Sequence, residues 1–220
     1  VDEFEPRVLL RSDAHHDNTE CDQEMELRHL NWAKECGAPI IDGGDAFCAM
    51  GGKWDRRKNL DHVRPEHQCE DYLDALVRTY ADFLEPYAKN FAVLRTGNHE
   101  TSIRRIHQTC LTGRLCERLR TMTGAPMFEG SYTGWIFVTL VRNIKGRKVT
   151  KKGGRTRGHP VQATMKIWHT HGYGGAAPVT KGVIQTNRRA VYTPDANMVL
   201  SGHTHQAFEL PLQRMRVTKS

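Results

Sequence analysis

Residues 39–45 read Pro39-Ile40-Ile41-Asp42-Gly43-Gly44-Asp45, a short apolar run that passes through two glycines into an acidic residue. An apolar run of this length between turn-forming residues predicts a buried strand, and the glycines predict a turn after it. Asp45 would then lie at the carboxyl end of that strand. Similar runs recur on both sides of this stretch, so their spacing predicts the fold class.

Strand-like and helix-like segments alternate along the chain, which predicts an α/β fold. Short apolar runs predict strands at residues 7–11, 39–42, 91–94, 135–141, 164–169 and 197–200. Apolar residues at helical spacing predict helices at residues 19–35, 65–87 and 103–122, the last broken at Gly113. With 220 residues, 38% of them hydrophobic, the chain is predicted to form one domain over residues 1–220.

Five polar clusters each follow a predicted apolar strand. They are Ser12-Asp13-Ala14-His15, Gly43-Gly44-Asp45, Gly97-Asn98-His99-Glu100, His169-Thr170-His171-Gly172 and Gly202-His203-Thr204-His205. In open α/β sheets, ligands bind in the crevice at the carboxyl ends of the strands. We therefore expect the five clusters to meet at one edge of a sheet.

The residue types in these clusters point to a metal site. Aspartate, asparagine and histidine supply oxygen and imidazole donors without a thiolate, a set that suits manganese, iron or zinc. Asp45 can bridge two ions because a carboxylate has two oxygens. Two ions about 3.5–4 Å apart clamp a phosphoryl group and activate a water molecule.

The five clusters, in this order, resemble those of the calcineurin-like metallophosphoesterases and cover most of the chain. The most telling blocks are Gly97-Asn98-His99-Glu100 and Gly202-His203-Thr204-His205. The resemblance implies a sandwich of two mixed sheets flanked by helices, and a site with two divalent metal ions. Manganese is favoured, with iron, zinc or nickel as alternatives.

The resemblance also implies a role for each residue. The first metal would be held by Asp13, His15 and His205, and the second by Asn98, His171 and His203, with Asp45 bridging both. His99 would lie above the metals and protonate the leaving oxygen or stabilise the transition state.

Two features depart from the family pattern. Many members carry a second aspartate three residues after the bridging one, and it orients the catalytic histidine; this chain has Cys48 there. Asp42, Asp55 or Glu100 are candidates to replace it. In the fourth block both His169 and His171 could be the ligand, and His171 is preferred because Gly172 follows it. The stretch 171–175 also loosely resembles the phage and bacterial repair-nuclease-like branch of the family.

The positive charge of the chain is concentrated in one segment. Residues 142–157 contain eight basic and no acidic residues, so the remainder has 32 − 8 = 24 basic against 25 acidic residues. The simplest interpretation is a solvated loop at about 142–159; the alternative is an arm that binds nucleic-acid phosphates. Nearer the clusters, the candidate substrate-binding residues are Arg104, Arg105, Arg188 and Arg189.

Three functions are compatible with these features. The favoured one is hydrolysis of phosphodiesters in nucleic acid, either DNA or RNA, because the basic segment suits a polymeric substrate. The first alternative is a protein or nucleotide phosphatase that acts on phosphomonoesters with the same site. The second alternative is a non-catalytic scaffold, favoured only by Cys48.

Composition gives a prediction of the compartment. The longest apolar stretch, 135–141, is far shorter than the ~20 residues of a membrane helix, and no charged-then-apolar leader opens the chain. The six cysteines form no C-x-x-C pair, so reduced thiols and a cytoplasmic location are predicted. The sequence predicts no particular oligomeric state.

Overall fold

A computed structural model describes residues 5–52, 56, 58–141, 150–152, 155–157, 162–174, 179 and 182–213. The helices are α1 (Gln23–Glu35), α2 (Tyr72–Leu84), α3 (Asn98–His107), α4 (Leu111–Thr123) and α5 (Val183–Tyr192), with short 3₁₀ helices at Pro65–His67 and Glu85–Asn90. The strands are β1 (Leu9–Arg11), β2 (Ile40–Asp42), β3 (Phe91–Arg95), β4 (Phe128–Gly130), β5 (Thr133–Val141), β6 (Thr150–Lys152), β7 (Arg155–Arg157), β8 (Gln162–Thr170) and β9 (Met198–Ser201).

The strands form two main sheets, which confirms the predicted α/β class. The first sheet has the order β1-β2-β3-β4 and is parallel throughout, so the expectation of two mixed sheets is wrong for this sheet. The second has the order β5-β8-β9, in which β5 and β8 are antiparallel and β8 and β9 are parallel. Of the basic segment 142–159, the described residues are those of β6 and β7, which pair as a separate antiparallel hairpin, and the rest lies outside the described residues.

One face of the first sheet packs against helices. The apolar stripe of α2 includes Tyr72, Leu76, Tyr80 and Leu84, four residues apart, and all of them are buried. They belong to one core cluster with Ile40 of the sheet and with side chains of α1 and α4. Burial of this stripe, and not helix propensity alone, fixes α2 against the sheet.

The other face of the first sheet packs against the second sheet. Ile41, Val93 and Ile167 form a separate buried cluster between the two sheets. The register between β2 and β3 shifts at Ile40/Ile41, so that Ile40 pairs with Phe91 and Ile41 with Val93. This irregularity lets Phe91 join the helix-side cluster while Val93 joins the cluster between the sheets.

Several predicted boundaries are wrong for identifiable reasons. Helix α1 begins at Gln23, not at residue 19, because the carboxylate of Asp22 accepts the N–H of Met25 and caps it. The predicted helix 65–87 is α2 flanked by the two 3₁₀ helices. The predicted helix 103–122 divides at Gln108, where φ is +53°, while Gly113 lies inside α4. Strand β4 and helix α5 were not expected from the sequence.

Among the described residues, none of the helices has both the length and the apolar character needed to cross a bilayer.

Candidate metal centre

The carboxyl ends of the parallel strands bring the candidate ligands together. Asp13 follows β1, Asp45 follows β2 and Asn98 directly follows the turn after β3 in the first sheet. His171 and His203 follow β8 and β9, which run parallel in the second sheet. The site therefore lies where the carboxyl ends of the parallel strands in the two sheets meet, as expected for an α/β crevice.

Hydrogen bonds join the loops at this edge. The N–H of Asp13 donates to the carbonyl of Gly44 at 2.9 Å, which ties the β1 turn to the β2 turn. Nδ1 of His171 donates to the carbonyl of Gly43 at 2.9 Å, which ties the second sheet to the first. The donors are thus held in place by contacts with backbone carbonyls.

The backbone is strained where the candidate ligands lie. Among the described residues, seven non-glycine residues have positive φ, and five of them belong to the predicted ligand set. These five are Asp13 (φ +58°), His15 (+43°), Asp45 (+53°), His203 (+76°) and His205 (+50°). Non-glycine residues avoid this region, and such strain persists where the surrounding structure imposes it, often at functional sites.

Close approach of two turns explains two of the glycines. A Cβ atom on Gly97 would collide with Oδ1 and the backbone nitrogen of Asp45. Gly44 has φ of +101°, and a Cβ there would lie 2.6 Å from the backbone nitrogen of Gly97. Only glycine allows the β2 and β3 turns to approach closely enough to place Asp45 and Asn98 together.

The first donor group contains Asp13, His15 and His205, whose ligand atoms lie within 4.8 Å of one another. Nε2 of His205 is 3.5 Å from Oδ1 of Asp13, and the rings of His15 and His205 have centroids 5.2 Å apart. The side chain of His205 is 59% exposed, while that of Asp13 is 10% exposed. This group is consequently open to solvent on the His205 side.

The second donor group contains Asp45, His171 and His203. Oδ2 of Asp45 lies 3.0 Å from Nε2 of His171, and Oδ1 of Asn98 lies 3.0 Å from the same nitrogen. Nδ1 of His203 is 2.7 Å from Oδ1 of Asn98. Asp45 stands between the two groups, because its Oδ2 is also 3.9 Å from Nε2 of His15.

The second group contains a contact between acceptors that needs a proton or a bound cation. Nδ1 of His171 donates to a carbonyl, which can only accept, so the second ring nitrogen of the neutral imidazole is itself an acceptor. That nitrogen faces oxygens of Asp45 and Asn98 at 3.0 Å each. Either a proton on His171 or a bound cation relieves the contact between these acceptors. The donor set, oxygen and imidazole nitrogen, fits a divalent metal ion of the manganese, iron or zinc type.

The electrostatics of Asp45 and His171 favour charged forms of both. Burial alone would lower the pKa of His171, but the hydrogen bond and charge of Asp45, with the charge of Asp13, raise it to about 9. Burial opposes ionisation of Asp45 as well, yet the hydrogen bond and charge of His171 bring its pKa below the usual value. By contrast, burial and neighbouring His99 lower the pKa of His15, so its imidazole is neutral and able to donate a lone pair.

His99 lies at the border of both donor groups. Its Nε2 is 3.9 Å from Oδ2 of Asp45, and its ring is 4.8 Å from that of His15, edge to face. Its Nδ1 donates to the carbonyl oxygen of Cys48 at 2.6 Å. A main-chain carbonyl thus contacts the imidazole at the position where the resemblance implies an aspartate.

Of the three proposed replacements for that aspartate, the two that the structure describes, Glu100 and Asp42, do not take this place. The carboxylate of Glu100 accepts the N–H groups of Asp45, Phe47 and Gly97 at 3.2, 3.0 and 2.8 Å. Asp42 pairs with Arg11 at 2.9 Å. Asp55 lies outside the described residues. Glu100 therefore acts on the loop backbone and not on the ring of His99.

The structure separates His169 from His171. Both are fully buried, so exposure does not distinguish them. His171 belongs to the second donor group, whereas His169 belongs to neither group. Burial and the nearby cation of Arg95 lower the pKa of His169 to about 3, so it is a neutral core residue beside the site.

The four candidate arginines are placed differently. Arg104 and Arg105 are exposed on α3 and Arg188 is exposed on α5. Arg189 is partly buried: it donates to Oγ of Ser201 at 2.8 Å, and its guanidinium lies 4.7 Å from the ring centroid of Tyr173. Ser201 ends β9 immediately before the His203 turn, so Arg189 is the member of this set that the structure brings towards the centre.

A cleft of about 640 Å³ opens over the first donor group. Besides Asp13, His15, His99 and His205, its walls include Met25 and His29 of α1 and Met50 of the loop after β2. Among the described residues that line it, Arg11 is the only arginine or lysine. Arg11 is already paired with Glu26 and Asp42, at 2.9 Å each.

Two residues near the centre were not identified from the sequence. The hydroxyl of Tyr132 donates to the carbonyl of Gly172, and its ring meets that of His171 edge to face with centroids 5.4 Å apart. Asp17 binds the backbone of the loop after β2. Neither residue carried a sequence signal beyond the position of Asp17 two residues after His15.

Comparisons of the chain with protein-family models, with curated proteins and with solved structures return no match.

Proposed function

We propose that the chain is a hydrolase of phosphodiesters that uses two divalent metal ions and belongs to the calcineurin-like metallophosphoesterase type. One observation carries this proposal: seven oxygen and nitrogen donors from five separate segments converge into two adjacent groups with Asp45 between them. The two-sheet architecture with helices against the first sheet supports the same family assignment. Manganese remains the favoured metal.

Metal ions in these groups would lower the pKa of a bound water and offset charge on the phosphate oxygens. The residues of the chain would do the rest. The water would lose one proton to solvent, and its oxygen would form a new bond to phosphorus as the bond from phosphorus to the leaving oxygen breaks. His99 would give its Nε2 proton to that leaving oxygen and would regain a proton from solvent after the turnover. The Nδ1 proton stays hydrogen-bonded to the Cys48 carbonyl, 2.6 Å away, and keeps the ring aimed at the centre.

The lining of the cleft supports a diester over a monoester. A phosphomonoester carries close to two negative charges, and enzymes commonly bind such groups with arginine. Here Arg11, the single arginine or lysine among the described lining residues, is neutralised by Glu26 and Asp42. Glu20 and Asp22 also line the cleft, which disfavours a dianion further. The cleft extends along α1, past Met25 and His29, and a second substituent on the phosphate would lie there.

The origin of the basic segment supports a long substrate. Residues 142–161 connect β5 to β8, and Val141 pairs with Gln162 at one end of this pair, while Thr133 pairs with Thr170 at the other. His171 follows Thr170, so the candidate centre and the basic segment begin at opposite ends of a nine-residue strand. At about 3.3 Å per residue, these ends are roughly 26 Å apart. A substrate that contacts both is a polymer, and nucleic acid fits the charge.

The test compares two esters with matched variants. Metal-stripped protein is refilled with Mn²⁺ and assayed on bis-p-nitrophenyl phosphate and p-nitrophenyl phosphate. We expect preference for the diester and loss of more than about 100-fold on Asp45→Asn, the magnitude of removing a key electrostatic contact. Asp61→Asn, the same chemical change at an exposed residue, is the control.

Each alternative has its own outcome. Preference for the monoester would make a phosphatase the better assignment. Binding of Mn²⁺ without turnover of either ester, or of DNA and RNA oligonucleotides, would favour the scaffold. Full activity of Asp45→Asn would refute the two-metal site.

A further inference from the structure

The loop after β2 carries His99's partner, and a buried carboxylate holds this loop. Nδ1 of His99 donates to the carbonyl of Cys48 at 2.6 Å. The N–H of Cys48 donates to Oδ1 of Asp17 at 2.6 Å, and the N–H of Ala49 donates to Oδ2 of Asp17 at 2.9 Å. Asp17 is 2% exposed. The chain of contacts runs from Asp17 through the Cys48 peptides to the imidazole.

The carbonyl that accepts from His99 and the N–H that donates to Oδ2 of Asp17 belong to the same peptide group. This peptide joins Cys48, which supplies the carbonyl, to Ala49, which supplies the N–H. Ala49 has φ of +52°, and it is one of only two described non-glycine residues outside the ligand set with positive φ. An alanine adopts this conformation when its surroundings impose it. The bond to Asp17 supplies that constraint and orients the carbonyl on the opposite side of the same peptide.

The charge of Asp17 also strengthens the carbonyl as an acceptor. A carboxylate that accepts a peptide N–H polarises that peptide, and polarised hydrogen bonds reinforce one another in a buried setting. The negative charge of Asp17 therefore reaches His99 through a peptide group, in place of the direct carboxylate that the family pattern places at position 48. Both oxygens of Asp17 are engaged in this way, and Asp17 belongs to neither donor group of the metal centre.

A second carboxylate holds the other end of the same loop. Glu100 accepts the N–H groups of Asp45 and Phe47, so it supports the metal-binding end. Asp17 supports the Cys48–Ala49 end, which touches His99. Asp17 and Glu100 are thus two buried acids that contact the same five-residue loop, 45–49. Because Asp17 supports the end that contacts His99 and Glu100 supports the metal-binding end, Glu100 provides a control for Asp17.

We propose that Asp17 is a positioning residue that orients His99 through the Cys48–Ala49 peptide. This rests on the proposed function, because it assigns Asp17 to proton donation by His99. Loss of Asp17 leaves the metal ligands in place and lets the imidazole turn away from the leaving oxygen. The fall in kcat that the loss of Asp17 causes then depends on how much the leaving oxygen needs a proton.

The experiment uses two diesters that differ only in the leaving group, methyl p-nitrophenyl phosphate and methyl phenyl phosphate. The full chain is loaded with Mn²⁺, and metal content is measured beside kcat and KM. For Asp17→Asn we expect kcat on the phenyl ester to fall about 10-fold or more and kcat on the p-nitrophenyl ester to change about 2-fold at most. KM and the two bound Mn²⁺ should be unchanged.

Two further variants isolate the route. In a His99→Ala background, Asp17→Asn should have no additional effect on the phenyl ester, since coupled residues are not additive. Glu100→Gln should lower kcat on both esters equally and weaken metal binding. Should Asp17→Asn not fold, Tyr72→Phe removes a third hydrogen bond to Asp17, of 3.4 Å, together with the acceptor of the Gly51 N–H, at 2.9 Å. It should reproduce the leaving-group effect at about 2-fold.

The outcomes separate this proposal from the proposed function. A wild-type protein that cleaves neither ester refutes the function itself. An active wild type whose Asp17→Asn variant loses equal activity on both esters, loses metal, or shows additive loss with His99→Ala overturns the role of Asp17. Absence of any leaving-group effect in Tyr72→Phe, where that variant replaces Asp17→Asn, overturns it as well.

Discussion

The backbone N–H of His203 donates to both carboxylate oxygens of Asp13, at 2.9 and 3.0 Å, across 190 positions of sequence. In the proposed site, Asp13 would hold the first metal and His203 the second. This contact therefore couples the two halves of the candidate centre, and it closes the second sheet onto the first at the end where β1 and β9 terminate.

Asp13→Asn should consequently weaken both metal positions. The first loses an anionic ligand, and the second loses the support that holds the His203 turn in its strained conformation. We expect affinity for the second Mn²⁺ to fall by about 10-fold, the size of an outer-contact effect. Titration of metal-free protein with Mn²⁺ measures both steps. His205→Ala, at an exposed ligand, is the control and should affect the first position alone. An unchanged second step in Asp13→Asn would contradict the coupling.

His171→Gln should lower activity strongly, whereas His169→Gln should change it little. His171 faces Asp45 and Asn98, so its loss removes a proposed ligand and should lower diester hydrolysis by more than about 100-fold. His169 lies outside both donor groups, and its replacement should leave two Mn²⁺ bound and change kcat by no more than a few fold. Metal analysis together with kcat tests this pair. Loss of metal in His169→Gln alone would reverse the assignment.

Deleting residues 145–157 should separate polymer binding from chemistry. The segment begins at the end of β5 and β8 opposite the centre, so hydrolysis of bis-p-nitrophenyl phosphate should be unchanged. Binding of single-stranded DNA should weaken, and the slope of log K against log salt should become shallower by about 0.7 for each phosphate that the deleted residues neutralise. A slope that does not change would return the segment to the solvated-loop interpretation.

Glu26→Gln should destabilise the fold at neutral pH without removing metal. Glu26 is buried and contacts Arg11, His16 and Tyr80 at 2.9, 2.9 and 2.7 Å. Burial would raise its pKa, but the bond from His16 and the charge of Arg11 lower it from 4.5 to about 2. Breaking this network should cost about 3 kcal/mol in the free energy of unfolding, measured in urea at pH 7.

The pH dependence of that difference has a defined sign. A carboxylate with a depressed pKa in the folded state stabilises the fold fully above its unfolded pKa, here 4.5. The stabilisation is lost as pH falls from about 4.5 towards 2, so wild type and Glu26→Gln should converge over this window. The exposed Glu24→Gln on the same helix is a suitable control. A difference that stays constant down to pH 2 would show that packing, and not charge, is lost.

The sequence by itself determined the class of the fold and the identity of the candidate donors. A short apolar run that ends in glycine and an acidic residue indicates a buried strand, because its length suits a strand better than a helix and the glycine marks the turn after it. Strands such as 39–42 and 91–94 were placed correctly to within a residue or two. The donor types in the five clusters likewise predict metal chemistry from residue identity alone.

Only the tertiary structure decided how these residues are held and which of them act together. The choice between His169 and His171 depends on which side chain reaches Asp45 across two sheets. The partner of His99 is a carbonyl oxygen, and every residue has a carbonyl, so no side chain at position 48 signals it. Asp17 and Glu100 act on backbone N–H groups, whose direction depends on a strained loop. Such contacts join distant segments through main-chain atoms that are the same for every sequence, and their geometry exists only once the chain has folded.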